Sequence, residues 1–413
     1  MPLDVIVIGA GAAGLLAAAR AAERGRRVVL VEKNRRPGVK ILMSGGTRCN
    51  ITHDVDEAGI VAAYGKSGRF LHSALAALSP ADLIALFEAE GVHTKVEPGG
   101  KVFPVSDRAS DVLDALLRRL ERSGAELVTG EGVTAIDGAD NGFRVTTTSR
   151  TFDAPHVLIT TGGKSYPGSG TTGDGYAWAA AFGHTIVPPR PALTPITTGA
   201  AWVKELQGVT IADVLVRVVD AAVENAKHRV LAERRGSFLF AHFGLSGPAP
   251  MDVSRAVTGH PRPATLTLEC DFLPELPEHV LDEQLRAAAV REGKRRVVGI
   301  LPDALPARLA EALARQVGVG DERRAAELSK QQRMRLVAAI KRQAIPISGT
   351  RGFAKAEVTA GGVALDEIDS RTMQSKLLPG LYFAGEVLDL DGPIGGYNFQ
   401  AAFSTGYLAG SSM

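Results

Sequence analysis

Three glycines and one acid carry the first chemical signal in this chain. Gly9, Gly11 and Gly14, in Gly9-Ala10-Gly11-Ala12-Ala13-Gly14, stand at the spacing G-x-G-x-x-G, and Glu32 follows, about twenty residues on, where a ribose-binding acid belongs. Gly9 permits a tight turn, Gly11 lets a diphosphate approach the backbone, and Gly14 lets a helix pack closely on a sheet. Free N–H groups and the positive dipole end of that helix would face the phosphates. Glu32 can accept hydrogen bonds from ribose hydroxyls and would repel a 2′-phosphate. The flanks give the spacing its meaning. Asp4–Ile8 is a β-branched apolar run, Ala12 to about Arg24 is rich in Ala and Leu, and Arg27–Val31 is a second apolar run. Strand, glycine turn, helix, strand and acid predict a dinucleotide-binding unit with Gly9, Gly11, Ala12, Ala13, Gly14, Glu32 and the adjoining Lys33 at the ligand.

A second cluster is Lys40-Ile-Leu-Met-Ser44-Gly45-Gly46-Thr47-Arg48-Cys49-Asn50. Paired glycines beside a cation expose backbone N–H groups, which suits a diphosphate or an electron-rich ring edge. Toward the end, Leu378–Glu386 reads as a strand ending in Gly385-Glu386, an acid placed to bond polyol hydroxyls. Asp389 follows, and Gly395-Gly396-Tyr397-Asn398-Phe399-Gln400 opens an alanine-rich helix with paired glycines. His156–Ile159 repeats the opening grammar by leading into Thr160-Thr161-Gly162-Gly163, and Thr172-Gly173-Asp174-Gly175 opens a helix where Asp174 suits either a cap or a ligand contact.

The N-terminal unit, the Lys40–Asn50 stretch and the C-terminal stretch together resemble the bacterial BaiN/YhiN-like FAD-binding family, some members of which carry the label aminoacetone oxidase family. The resemblance runs over nearly the whole chain. The family pattern has a third glycine where this chain has Thr47. The resemblance implies FAD as cofactor, Val133 near the adenine, Thr161, Gly162 and Gly163 as a second FAD contact, and the helix opening at Gly395-Gly396 at the pyrimidine edge of the flavin. It also implies oxidoreductase activity, as amine oxidation or reduction of an unsaturated substrate. NAD(P)H is a candidate donor, although no second complete fingerprint is present.

The elements that must position these residues follow the same logic. Apolar periodicity predicts helices within residues 68–91, capped by Ser79, and over Asp111–Ser123, capped by Ser106 or Ser110. Pro188-Pro189-Arg190-Pro191 reads as a stiff linker. Beyond it, Val214–Val219, Gly236–Phe240 and Ala264–Leu268 read as short strands of a β-barrel-like insert, and residues 271–342 read as helical. The expected architecture is α/β: a doubly wound Rossmann-like FAD domain (1–190 and 359–413), interrupted by a β-rich substrate domain (191–270 and 343–358) and a helical subdomain (271–342). A small-molecule substrate would lie between the flavin and the insert. His242, in Ala241-His-Phe-Gly-Leu-Ser246, is a weak candidate proton donor.

Composition narrows the class. The 413 residues are 45% hydrophobic and 22% charged, which is globular. A net charge of +2 and 5% aromatic content give no general case for nucleic acid. Two distant cysteines, Cys49 and Cys270, form no dithiol or cysteine–zinc motif and fit a reducing cytoplasm. No metal site and no membrane partner are expected. Two further classes stay open: a flavin-dependent RNA-modifying enzyme, and a non-catalytic FAD-binding redox sensor using Cys49.

Overall fold

The computed structural model describes residues 2–139, 142–223 and 229–413. These form two compact units, Met1–Pro191 with Glu357–Met413, and Ala192–Ala356.

The first unit is built on a parallel sheet. Among the described residues its strand order is Leu381–Phe383, His156–Ile159, Val5–Ile8, Val28–Glu32, Glu126–Thr129. Val5 and Val7 enter one hydrophobic core, and Ile6 and Ile8 enter another on the opposite face. Burial on both faces is why these strands read as continuous apolar runs instead of alternating ones. The register pairs Ile8 with Val31 and with Ile159, and Ile159 with Phe383. The residues that follow these strands therefore emerge along one edge.

Helix Ala12–Glu23 is almost wholly buried. Its small residues admit the terminal helix Tyr397–Ser412 at backbone contact: a Cβ on Gly406 would sit 2.4 Å from the Ala13 carbonyl oxygen, and one on Gly410 would sit 2.4 Å from that of Ala17. The helical periodicity of residues 68–91 resolves into a 3-10 turn, Gly65–Leu71, and two helices, His72–Ala77 and Pro80–Ala89. Ser79 caps the last in a capping box with Asp82. The expected cap at Ser106 or Ser110 is not formed. The helix runs Ala109–Ser123 behind Arg108, and both serines instead face Asp111, holding its carboxyl below the usual range. Pro188–Pro191 is the middle of a strand, Ile186–Ala192, paired with Val358–Val363.

His184 is buried between Glu367 and Ser375, with Nδ1 3.1 Å from Glu367 Oε2 and Nε2 2.8 Å from Ser375 Oγ. The order of groups is that of a hydrolase triad, but Ser375 Oγ also accepts the Leu377 and Leu378 N–H groups and is itself buried. It braces a turn. Burial pushes the His184 imidazole below its ordinary value against the opposing pull of Glu367. The unfolded chain therefore takes up a proton first, so stability should be level above about pH 6.5 and fall as pH drops below it. His184→Gln should flatten that part of the profile in denaturant titrations; an unchanged slope would refute the assignment.

The second unit carries a seven-stranded antiparallel sheet among its described residues, with Gln343–Pro346 at one edge and Gly349–Thr350 at the other. Only Ile347 and Ser348 separate these two edge strands. The Ile347 N–H bonds the Leu266 carbonyl and the Ser348 N–H bonds that of Thr197, so the sheet curls until its edges meet, which is barrel-like. The helices of residues 271–342 are not a separate body: Leu281, Leu309, Leu313 and Ile340 share one core with Val216, Phe238 and Leu268 of the strands. Among the described residues no single helix is long and apolar enough to cross a membrane.

Candidate functional site

The site builds up along the carboxyl edge of the parallel sheet, where ligands of open α/β sheets bind. At the first turn, Gly9 adopts φ +104, and a Cβ there would lie 2.8 Å from the Thr160 carbonyl oxygen. A Cβ on Gly14 would lie 1.9 Å from the Gly9 carbonyl oxygen, whereas one on Gly11 would meet nothing within 4 Å. Two glycines thus serve packing and the third faces open space. Gly11 also precedes helix Ala12–Glu23 with no side-chain cap, leaving first-turn N–H groups for an anion. Glu32, buried at the end of the second strand, accepts the Ala10 N–H at 2.8 Å and the Asn34 N–H at 2.8 Å, so it braces the turn that it borders. Glu131 N–H bonds the Glu32 carbonyl at 3.1 Å, which brings the segment leading to Val133 beside that acid. Lys33 pairs with Asp174 at 2.6 Å and bonds the Thr172 hydroxyl at 2.7 Å. Asp174 is the first residue of its helix and does not cap it.

The Ser44–Asn50 loop is left-handed over three successive residues: φ is +56 at Gly45, +68 at Gly46 and +70 at Thr47, and Cys49 is at +61. Threonine is β-branched and strained there. Thr47→Gly should stabilise the protein by about 1 kcal/mol, and a lower denaturation midpoint would contradict this. Arg48 lies over the Phe103 ring, 4.0 Å from its centroid, and pairs with Glu97 at 2.6 Å and Asp107 at 3.3 Å, so its charge is balanced locally. Cys49 is buried, and burial pushes its thiol up to about 12. A thiol held protonated is a poor redox sensor.

The densest polar cluster joins four remote segments. Lys40 Nζ pairs with Glu386 and donates to Ser165 Oγ at 2.6 Å. Ser165 Oγ donates to Glu386 Oε1 at 2.7 Å, and the Thr359 N–H donates to the same oxygen at 2.9 Å. Thr359 Oγ1 in turn accepts the Lys164 and Ser165 N–H groups. Burial raises the phenols of Tyr64 and Tyr176, with the nearby charge of Glu386 adding to the effect. Ser165, Thr359, Tyr64 and Tyr176 are additions to the sequence-derived set. Only Ser165, in a glycine-rich run beside Gly162-Gly163, carried a local signal.

At the terminal helix the glycines have a packing reason. A Cβ on Gly396 would lie 2.3 Å from the Thr52 carbonyl oxygen, and one on Gly395 3.1 Å from the His53 ring. Asn398 Oδ1 accepts the Gly392 N–H at 2.8 Å and its Nδ2 donates to the Gly392 carbonyl at 3.0 Å. Gln400 is buried and bonds Thr52, Leu78 and Ser404. Tyr397 stacks on His53 at 4.6 Å, and the Tyr64 hydroxyl donates to the Tyr397 carbonyl at 3.0 Å. Asp389 contributes to the field on Tyr176. In the second unit, His242 is exposed at a tight turn between Val230–Ala241 and Gly244–Ser246. Ser246 Oγ donates to Met251 Sδ at 3.6 Å, and among the described residues no acid orients the pair.

FAD fits the edge of the first unit. Gly11 opens onto space, and three buried polar atoms there, Asn50 Oδ1, Thr161 Oγ1 and Tyr176 Oη, lack a hydrogen-bond partner within the described protein. Buried polar groups are ordinarily paired, so this edge carries donors and acceptors to spare. The first glycine turn and Glu32 would hold the diphosphate and a ribose. The Lys40–Asn50 loop, Thr161–Gly163 and Gly385-Glu386 would hold the rest.

Over residues 3–412 the chain matches the family described as HI0933-like protein Rossmann domain. It is 35% identical over 405 residues to the ribosomal RNA dihydrouridine synthase of Escherichia coli strain K12, spanning 98% of this chain and 96% of that protein. It is 33% identical over 412 residues to the 3-dehydro-bile acid delta(4,6)-reductase of Clostridium scindens, spanning 98% and 97%. Among solved structures, the 3-ketosteroid delta1-dehydrogenase from Sterolibacterium denitrificans aligns over 99% of this chain and 98% of that one, with a TM-score of 0.51 at 16% identity. That likeness is one of fold.

Proposed function

The chain belongs to the HI0933-like Rossmann-domain family and is an FAD-dependent oxidoreductase, and we propose that it saturates the carbon–carbon double bond of a uracil ring in RNA. The observation that carries this reading is an uneven charge. The first unit has 23 Lys and Arg against 27 Asp and Glu, a net −4, while residues 192–356 have 24 against 18, a net +6. Overall neutrality therefore hides a cationic unit in the same chain as the FAD fold, and such asymmetry between segments points to a polyanionic partner. The E. coli relative named as a ribosomal RNA dihydrouridine synthase supports the same direction.

A uracil C5=C6 bond is conjugated with the C4 carbonyl. It accepts hydride at C6 and a proton at C5. FAD, when bound and reduced, supplies the hydride. The protein's own residues bind and orient. Gly9–Gly14 would receive the diphosphate, Glu32 the ribose, and the Lys40–Ser165–Glu386–Thr359 cluster would keep the far side of the edge rigid. NADPH or NADH is the proposed donor. The second reading, a small conjugated enone as substrate, draws on the bile-acid reductase relative.

The two are separated by reducing the FAD-loaded protein anaerobically and following reoxidation spectroscopically. Ribosomal RNA lacking the modification should reoxidise the flavin, and a steroid dienone should not. The reverse pattern would replace the RNA reading with the enone reading.

A further inference from the structure

We propose that the groove between Val290–Arg295 and Arg324–Glu327 binds the phosphate backbone of that RNA; the proposal rests on the RNA reading and adds where the partner docks. The groove has a cavity volume of about 650 Å³, and its cationic walls are Arg291, Lys294, Arg295 and Arg324 against the acids Glu292 and Glu327. The surrounding sequence is the most basic part of the chain: residues 286–356 hold 16 Lys and Arg against 6 Asp and Glu.

The cations do not merely trail off a helix end. Helix Glu278–Arg291 stops at Glu292, and the next residues run against the Ala325–Glu327 turn. The Ala326 N–H bonds the Gly293 carbonyl at 3.1 Å, the Ala325 N–H bonds that of Arg295 at 2.8 Å, and the Val297 N–H bonds that of Arg323 at 2.8 Å. A Cβ on Gly293 would lie 2.9 Å from that of Ala326, so close approach requires glycine. Backbone bonds thus pin Arg295-Arg296 alongside Arg323-Arg324, and Arg296 pairs with Arg324 as an isolated β-bridge.

Holding like charges together is unfavourable unless an anion compensates them. The internal acids do so incompletely. Glu292 is shared by Arg291 and Arg295, whose side chains remain 73% and 60% exposed. Glu327 lies 3.6 Å from Arg323, and Glu322 lies 3.4 Å from Arg296. Lys294 and Arg324 are exposed and have no ion-pair partner among the described residues. Arginine predominates, and its planar fork matches phosphate oxygens in pairs. A concave, arginine-lined groove suits a backbone that tracks through it better than a flat anionic membrane does.

The test replaces four groove cations together, as R291Q, K294Q, R295Q and R324Q, in the FAD-loaded protein. All four are solvent-facing, and flavin content and the rate of flavin reduction should be unchanged. Filter binding of a ribosomal RNA fragment between about 50 and 200 mM KCl should show affinity lower by on the order of 10-fold or more, with the log–log salt slope smaller by about 2 to 3. Equal affinity and slope in variant and parent would overturn the proposal. So would binding of the parent to phosphatidylglycerol vesicles but not to RNA. Dihydrouridine formation is scored separately. RNA binding that depends on the four cations, without dihydrouridine, keeps the groove and removes the uracil reading. Dihydrouridine formed by the variant at an unchanged KM keeps that reading and removes the groove.

Discussion

Gly11→Asp is expected to fold at least as stably as the parent and to purify without FAD. A side chain at this position meets no protein atom, since a Cβ there has nothing within 4 Å. Gly11 also precedes the first helix in an extended conformation, φ −87 and ψ −168, without a side-chain cap. Aspartate is a preferred residue at such a position and gains a few tenths of a kcal/mol over glycine. The same carboxylate would meet the diphosphate. Two like charges about 4 Å apart near a protein surface repel by about 4 kcal/mol, so FAD affinity should fall by two to three orders of magnitude. Isothermal titration of apoprotein with FAD measures the second effect, and urea denaturation of apoprotein measures the first. Retained FAD in Gly11→Asp would show that the diphosphate lies elsewhere.

Gly14→Val should do the opposite. Its Cβ would fall 1.9 Å from the Gly9 carbonyl oxygen and 2.6 Å from Thr160 Oγ1. Neither can yield: Gly9 is itself wedged against Thr160, whose hydroxyl bonds the Ile8 and Gly9 carbonyls at 2.9 Å each. The helix would have to lift off the sheet, taking with it the contact between Ala13 and Gly406 at the terminal helix. Overpacking of this kind costs about 1–3 kcal/mol at an adaptable site, and with backbone on the opposing side the loss should exceed about 3 kcal/mol. The apoprotein itself should unfold at lower urea. A Gly14→Val protein with the parent's midpoint would contradict the close helix–sheet approach.

These two glycines show where the sequence was legible. The turn, its two strands and Glu32 lie within thirty-odd residues, and each has a local reason readable from side-chain size and charge. Lys40 and Glu386 were also legible singly. Their partnership was not, because Lys40, Ser165, Thr359 and Glu386 meet only through the strand order of the sheet. Gly395 and Gly396 read as ligand-facing, and the structure adds a packing reason that no local pattern carries: Thr52 and His53, whose backbone and ring occupy the space a side chain would need. The Lys294–Arg296 run lies beyond the end of helix Glu278–Arg291, pinned to a second basic segment about thirty residues away that no local pattern couples to it. Net charge hides a similar division: +2 for the chain averages a unit of −4 with one of +6, a split set by the fold and not by any one stretch of sequence.

The central claim is tested most directly by nucleoside mass spectrometry of ribosomal RNA. RNA lacking dihydrouridine would be incubated anaerobically with the FAD-loaded, reduced protein, digested and analysed. Uridine converted to dihydrouridine by the parent protein, and not by Gly11→Asp, is the predicted result. No dihydrouridine from fully reduced, FAD-loaded protein that demonstrably binds the RNA would contradict it.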